Sequence, residues 1–215
     1  AGVRQLVHVS AIGADAKSTA HYARSKAEGE AAVLEEFPSA IILRPSIIFG
    51  PEDQFFNRFA AMARLSPVLP LIGGGHTKFQ PVYVGDVADA IANAVAGRGR
   101  PGSIYELGGP DVLSFRELLD RTQTYCGRSR GYLPMPFWAA KLQALLTWPL
   151  PNALRPVTVD QVRLLERDNV VSTAATAEGL TLAGLGITGP HSIASIVPSY
   201  LERFKPKGQF SHYRG

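Results

Sequence analysis

Three short stretches stand in order near the start of the chain: Leu6-Val7-His8-Val9-Ser10, Tyr22-Ala23-Arg24-Ser25-Lys26 and Ile41-Ile42-Leu43-Arg44-Pro45. The first and third are brief, β-branched and apolar, which predicts buried strands ending near Ser10 and at Arg44-Pro45. Gly13 to Ala20 reads as a loop of small residues. From about Tyr22 to Glu36, alanine, leucine and charged side chains favour a helix that Pro38 prevents from continuing. Strand, helix, strand, with a continuous apolar run in each strand, is the pattern of a parallel sheet covered on both faces. The expected fold class is α/β.

Working outward, Phe55 to Leu65 is expected to be helical, with Phe55, Phe56, Phe59 and Met62 at near-helical spacing. Ser66 to His76, holding Pro67, Pro70 and three glycines, reads as a loop. Its Gly73-Gly74-Gly75 is taken as a turn, because it lacks the strand–turn–helix setting that aims backbone N–H groups at a pyrophosphate. Phe79 to Val84 is a further strand, and Asp86 is placed as the cap of an Ala/Val-rich helix running to Val95. Ser103 to Leu107 is a strand closed by Gly108-Gly109-Pro110. Ser114-x-x-Glu117 and Thr158-x-x-Gln161 are capping-box patterns, the first opening a helix to about Tyr125. Beyond Tyr132 the pattern turns helical and Pro-rich, and it ends in a helix from Ser192 to Phe204.

Composition narrows the function classes. With 215 residues and 46% hydrophobic content, the chain can bury a substantial core and is not disordered. The single cysteine, Cys126, has no partner for an internal disulfide. A net charge of +4 is too modest and too scattered for a nucleic-acid footprint. His8, His21, His76, His191 and His212 show no ligand spacing, so no metal site is expected. The longest apolar stretch, Phe137 to Leu150, is interrupted by Lys141 and Gln143 and falls short of the roughly 20 residues a spanning helix needs. No transmembrane segment is expected, and Ala1-Gly2-Val3 has neither the basic nor the apolar region of a signal peptide. The expectation is a soluble or at most peripheral protein.

Tyr22 and Lys26 place a phenol and an ammonium on one helix face. A tyrosine near its ordinary pKa is a poor base at neutral pH, whereas an adjacent cation favours the phenolate. The pair therefore suits hydride-transfer chemistry at an alcohol or carbonyl, with the lysine also able to reach a cofactor ribose.

Three further segments extend the pattern in order: Ser10-Ala11 after the first strand, Arg44-Pro45-Ser46-Ile47-Ile48-Phe49-Gly50, and Phe79-Gln80-Pro81-Val82-Tyr83-Val84-Gly85-Asp86-Val87-Ala88. Together with Tyr22-x-x-x-Lys26 they resemble the second half of an extended short-chain dehydrogenase/reductase, of the NAD-dependent epimerase/dehydratase kind. The resemblance is clear to about Glu117 and looser beyond. It implies residues 1–110 as the second half of a Rossmann-type, doubly wound NAD(P)-binding domain, with 50–80 contributing to the substrate lobe. Residues 111–215 are then a smaller, mixed but mainly α, C-terminal lobe facing substrate or partner. It further implies Tyr22, Lys26 and Ser10 as catalytic residues and Ser10, Ala11, Tyr22, Lys26, Pro45, Ser46, Ile47 and Ile48 as the nicotinamide-side cofactor contacts. Phe55, Phe56 and Gln80 line the substrate lobe. The cofactor is NADP or NAD, and the family's glycine-rich phosphate loop is expected in an N-terminal half outside this chain, which begins at about the fifth strand.

Two details point to one branch. The family ends the strand before the motif with a Ser or Thr whose hydroxyl meets the reacting oxygen, and that place is Ala11 in this sequence. The runs His8-Val9-Ser10-Ala11, Ala32 to Ala40, Phe49-Gly50-Pro51-Glu52-Asp53, Phe55 to Phe59 and Gln80 to Val84 look closest to the NAD(P)H-binding accessory subunit of respiratory complex I and its bacterial relatives. This implies a nucleotide-binding subunit with other respiratory-complex subunits as partners. Its place is then cytoplasmic, or peripheral on the cytoplasmic or matrix face of an energy-transducing membrane. The alternative is an active oxidoreductase, epimerase or dehydratase on a small alcohol, ketone or nucleotide-sugar, using Tyr22 and Lys26.

Other features read more plainly. Glu28, Glu30, Glu35 and Glu36 form a charged face expected to be solvated, and His21 is expected at an exposed helix start. Leu133 to Leu150, with Trp138 and Trp148, either rests on a membrane or partner or forms the floor of the lobe. The basic tail, Leu201 to Gly215, either docks on an acidic partner or anionic lipid or is solvated.

Overall fold

The computed structural model describes residues 2–149 and 157–206. The first elements in chain order are β1 (Val7–Val9), α1 (His21–Glu36), β2 (Ile41–Pro45), β3 (Ile48–Phe49), α2 (Phe56–Leu65) and β4 (Val68–Ile72). Next come β5 (Lys78–Phe79), β6 (Val82–Tyr83), α3 (Val84–Val95), β7 (Ile104–Leu107), β8 (Leu113–Ser114), α4 (Phe115–Tyr125) and β9 (Gly131–Met135). The remainder is helical: α5 (Phe137–Leu146), α6 (Val159–Leu164), α7 (Thr173–Ala177) and α8 (Ile193–Leu201), with 3-10 turns at Gly73–Gly75, Ala183–Leu185 and Glu202–Phe204.

Two compact units share these elements. The first comprises Ala1–Ile48, Phe79–Val112 and Asn169–Ser192, and the second comprises Phe49–Lys78, Leu113–Asp168 and Ile193–Gly215. Residues 169–192, expected in the C-terminal lobe, thus return to the first unit. The reason is local: Asn169 bridges to Phe79 and accepts from the Gln80 N–H at 3.1 Å.

In the first unit, β1, β2 and β7 form a parallel sheet with β2 in the middle, in register Val7↔Ile41 and Ile42↔Ile104. Side chains alternate across it. Ile41 and Leu43 enter a core with Val87, Ala90 and Ala94 of α3 and with Leu182 and Leu185. Arg44 leaves by the opposite face to reach Glu30 of α1, and His8 on that same face lies beside Gly29. Helices therefore cover both faces, which is what fully buried Ile41-Ile42-Leu43 requires.

Several expectations are corrected in detail. Glu30 is not on a solvated face; it is 4% exposed and holds Arg44 bidentately at 2.8 and 2.5 Å. Asp86 does not cap α3, whose N-cap is Tyr83. It is buried in the first turn, and both its oxygens are taken by His191, through the backbone N–H and Nδ1, each at 2.7 Å. The strand expected over 79–84 breaks into β5 and β6, because Pro81 has no N–H to donate. The loop expected over 66–76 contains strand β4, which pairs in parallel with β9 from Val68↔Gly131 to Ile72↔Met135. The three glycines form the expected turn, with φ between 60° and 74°. Gly73 is required on two counts, since a Cβ there would sit 2.2 Å from the Phe137 ring.

The second unit is mixed and mainly helical. Asp53 starts α2 by accepting from the N–H groups of Phe55 and Phe56 at 2.8 and 2.6 Å, and its other oxygen accepts from the Tyr200 hydroxyl at 2.6 Å. Phe55, Phe59 and Phe115 form an edge-to-face aromatic cluster with centroids 5.0–6.1 Å apart. Both capping boxes form as expected, at Ser114–Glu117 and Thr158–Gln161.

Candidate functional site

In an open α/β sheet, ligands meet the carboxyl ends of the strands. Here those ends are Val9-Ser10-Ala11 after β1 and Pro45-Ser46-Ile47 after β2. α1 starts beside this edge and carries Tyr22 and Lys26. The Lys26 ammonium lies 3.4 Å from the Val9 carbonyl oxygen, at the end of β1, and 5.7 Å from the centre of the Tyr22 ring. The helix and the first strand thus bring Tyr22 and Lys26 to the strand end that carries Ser10 and Ala11.

The electrostatics of the pair differ from the sequence expectation. Burial pushes the Tyr22 phenol above its ordinary value, although the ring is 44% exposed. Desolvation of the phenolate is the cause of the rise. As a donor, the phenol is suited to hydrogen-bond an oxygen.

Ser10 is buried, and its hydroxyl oxygen has no hydrogen-bond partner, as is also true of His8 Nε2. An orphaned hydroxyl below the end of β1 is costly unless something donates or accepts there. Ala11 follows, and its carbonyl accepts from Ala14 in a turn. Ser46 differs from Ser10, for its hydroxyl is fully engaged. It lies 2.6 Å from Asn169 Oδ1 and 2.9 Å from the Asn169 carbonyl, and it accepts from the Gln80 N–H at 3.3 Å.

Asn169 is the residue that sequence reasoning missed. Besides Ser46, its Oδ1 accepts from the Ile47 N–H at 3.1 Å, and its Nδ2 donates to the Ile12 carbonyl at 3.1 Å. One side chain therefore ties the loop after β1 to the loop after β2, from a position more than a hundred residues downstream of either. Nothing in its local sequence marks it except the Ser172 cap that follows three residues later.

Gln80 and the two phenylalanines are not brought together within one unit. Gln80 lies in the first, where its amide donates to the Gly109 carbonyl at 2.9 Å and accepts from Val171 N–H at 3.0 Å. Gly109 is needed for that approach, because a Cβ would stand 2.0 Å from the Pro81 carbonyl oxygen. Phe55 and Phe56 lie in the second unit, with Phe56 fully buried. Pro45 is buried, while Ile48 is 39% exposed.

A family model for the 3-beta hydroxysteroid dehydrogenase/isomerase family matches residues 12–101. Among solved structures, the dTDP-glucose 4,6-dehydratase of Streptomyces venezuelae, with NAD bound, superposes with a TM-score of 0.63 at 21% identity, over 99% of this chain and 64% of that one. The chain shares the fold of that extended short-chain dehydrogenase structure. Curated proteins are similar along most of the chain. The chain is 36% identical to "NADH dehydrogenase (ubiquinone) 1 alpha subcomplex subunit 9, mitochondrial" of Arabidopsis thaliana, over 96% of this chain and 52% of that protein. It is 33% identical to the protein of that name from Rattus norvegicus, over 96% of this chain and 56% of the relative. The chain spans about half the length of the curated relatives it matches. As expected from the sequence, no helix among the described residues is long and apolar enough to cross a membrane.

Proposed function

We propose that this chain is part of a nicotinamide-nucleotide-binding, dehydrogenase-fold accessory subunit of a respiratory NADH:quinone oxidoreductase, held peripherally on the cytoplasmic or matrix face of an energy-transducing membrane. The observation that carries the reading is similarity to complex I subunits along 96% of the chain. Ala11, in place of the hydroxyl that turnover in the family it resembles uses, favours a binding role over catalysis.

The edge of the sheet suits the nucleotide. Lys26, with one long contact to Val9 and further N–H donors, faces ribose hydroxyls, while the unpartnered Ser10 hydroxyl and the Tyr22 phenol offer hydrogen bonds to a carboxamide or carbonyl. Pro45, Ser46, Ile47 and Ile48 form the wall beside the nicotinamide. Asn169 holds that wall in place through Ser46 and Ile47. A bound nicotinamide can transfer hydride, and in this reading it serves structure instead. NADP or NAD is bound by the full-length protein, with the phosphates held outside this chain.

The test is to purify the respiratory complex from its membrane and quantify the chain and any nucleotide released on denaturation. Stoichiometric chain with about one nucleotide per copy is expected. Absence of the chain from the intact complex refutes the assignment. Turnover of an alcohol, ketone or nucleotide-sugar by the full-length protein, abolished by Tyr22→Phe, establishes the enzymatic alternative in its place.

A further inference from the structure

The charge of the chain is unevenly shared. The second unit holds fifteen lysines and arginines against eight aspartates and glutamates, whereas the first holds seven against ten. The modest overall surplus thus conceals an acidic first unit and a strongly basic second one.

The second unit also carries a helix with its large side chains on the wrong side for a core. Along α5, the fully buried Ala140 and nearly buried Ala144 face inward. Trp138, Leu142, Leu145 and Leu146 fall within one arc of about 100° on the opposite face. They are 70%, 50%, 60% and 73% exposed. Leu133 just before the helix and Trp148 just after it are exposed as well. A monomer in water ordinarily reverses this arrangement, burying leucine and exposing small or charged residues. The helix has one charged residue, Lys141, and its ammonium is held by Glu166 at 2.6 Å, so no unpaired charge interrupts the apolar face.

We propose that the outer face of α5 seats in the headgroup–acyl boundary of an anionic lipid bilayer. The proposal rests on the reading of the chain as a peripheral subunit and names the surface that meets the membrane. Ten residues of helix span about 15 Å, half of a bilayer core, so α5 lies in the boundary and does not cross it. Tryptophans at both ends suit that depth, since the indole ring is amphipathic and its N–H is satisfied at the headgroup level. The positive surplus of the same unit supplies the long-range attraction, which an apolar patch for a neutral protein partner does not need.

The experiment uses full-length protein with vesicles of phosphatidylcholine alone or of phosphatidylcholine with about one-third phosphatidylglycerol, read by flotation and tryptophan emission. Binding to the anionic vesicles is expected, with a blue shift, at least about tenfold tighter than to the neutral ones and weakened by salt. Trp138→Ser with Leu142→Ser is expected to lower the binding by about tenfold or more, as removal of two inserted apolar side chains should. Leu145→Ser with Leu146→Ser, on the most exposed positions, repeats the test if the first pair disturbs folding by circular dichroism. Failure to bind either vesicle refutes the proposal, as does binding of the anionic vesicles by both variants as tight as that of the wild type. Self-association of the wild type that the variants abolish, without vesicle binding, assigns the face to a second copy and overturns it too. Nucleotide content measured on the same preparation reports separately on the accessory-subunit reading, because α5 lies outside the nucleotide site.

Discussion

Replacing Asn169 by alanine isolates the one side chain that ties the two loops of the candidate site. The variant keeps the backbone carbonyl, so the Gln80 N–H and the Ser46 hydroxyl retain an acceptor. What it loses is the Oδ1 acceptor of the Ile47 N–H and the Nδ2 donor to the Ile12 carbonyl, both at 3.1 Å. Each bond is worth about 1 kcal/mol net, and an N–H left without an acceptor costs more, about 1–3 kcal/mol. Because the site is only partly buried, water recovers some of this, and the expected loss is about 2 kcal/mol. In urea denaturation the midpoint should fall with the slope unchanged. By hydrogen exchange, the Ile47 amide should lose protection by roughly 30-fold, while amides of α4 in the second unit should keep theirs. Nucleotide affinity of the full-length protein should drop with it, because the wall formed by Ser46 and Ile47 is no longer fixed. A change under about 0.5 kcal/mol, with Ile47 protection intact, refutes the assignment of Asn169 as the tie. Asn169→Asp separates the two halves of the role, since it keeps the acceptor for Ile47 but cannot donate to Ile12.

Two further perturbations test the frame around the site. Glu30→Gln leaves Arg44, with 22% of its side chain exposed, without its carboxylate, and should destabilise by about 3 kcal/mol. Glu30→Leu combined with Arg44→Met should recover most of that loss in the same denaturation assay; a double variant as unstable as the single would show that the ion pair itself holds α1 on the sheet. In the second unit, burial and then the hydrogen bond to Asp120 push the Tyr132 phenol up to about 12. Its folded pKa lies above the ordinary value near 10, so its contribution to stability is complete below pH 10 and is lost as pH rises toward 12. Melting temperature followed across that window should fall, and Tyr132→Phe should flatten the fall; an identical alkaline profile in the variant would refute the role.

What the sequence determined by itself is local. Val7 to Val9 and Ile41 to Leu43 are strands because short β-branched apolar runs favour the extended backbone, although only the second is fully buried; β1 is half-buried and its Val9 is exposed. Tyr22 and Lys26 share a helix face because helical geometry puts residues four apart on one side. Ser114 and Thr158 start helices because their oxygens meet the free N–H three residues on. The order of these motifs was enough to show the resemblance to the extended dehydrogenases, whose fold the structure shares. What only the tertiary structure decided is everything that depends on distance in sequence. Asn169 joins Ile12 to Ile47 across more than a hundred residues, and Asp86 turned out to hold His191 where a helix cap was expected. Glu30 looked like one more solvated glutamate until Arg44 stood across from it. The sign of the Tyr22 shift also needed the fold. Burial raises the phenol's pKa, and spacing along a helix does not report burial. The outward leucines and tryptophan of α5 are likewise plain in composition, but only packing shows that Ala140 and Ala144 take the inner side.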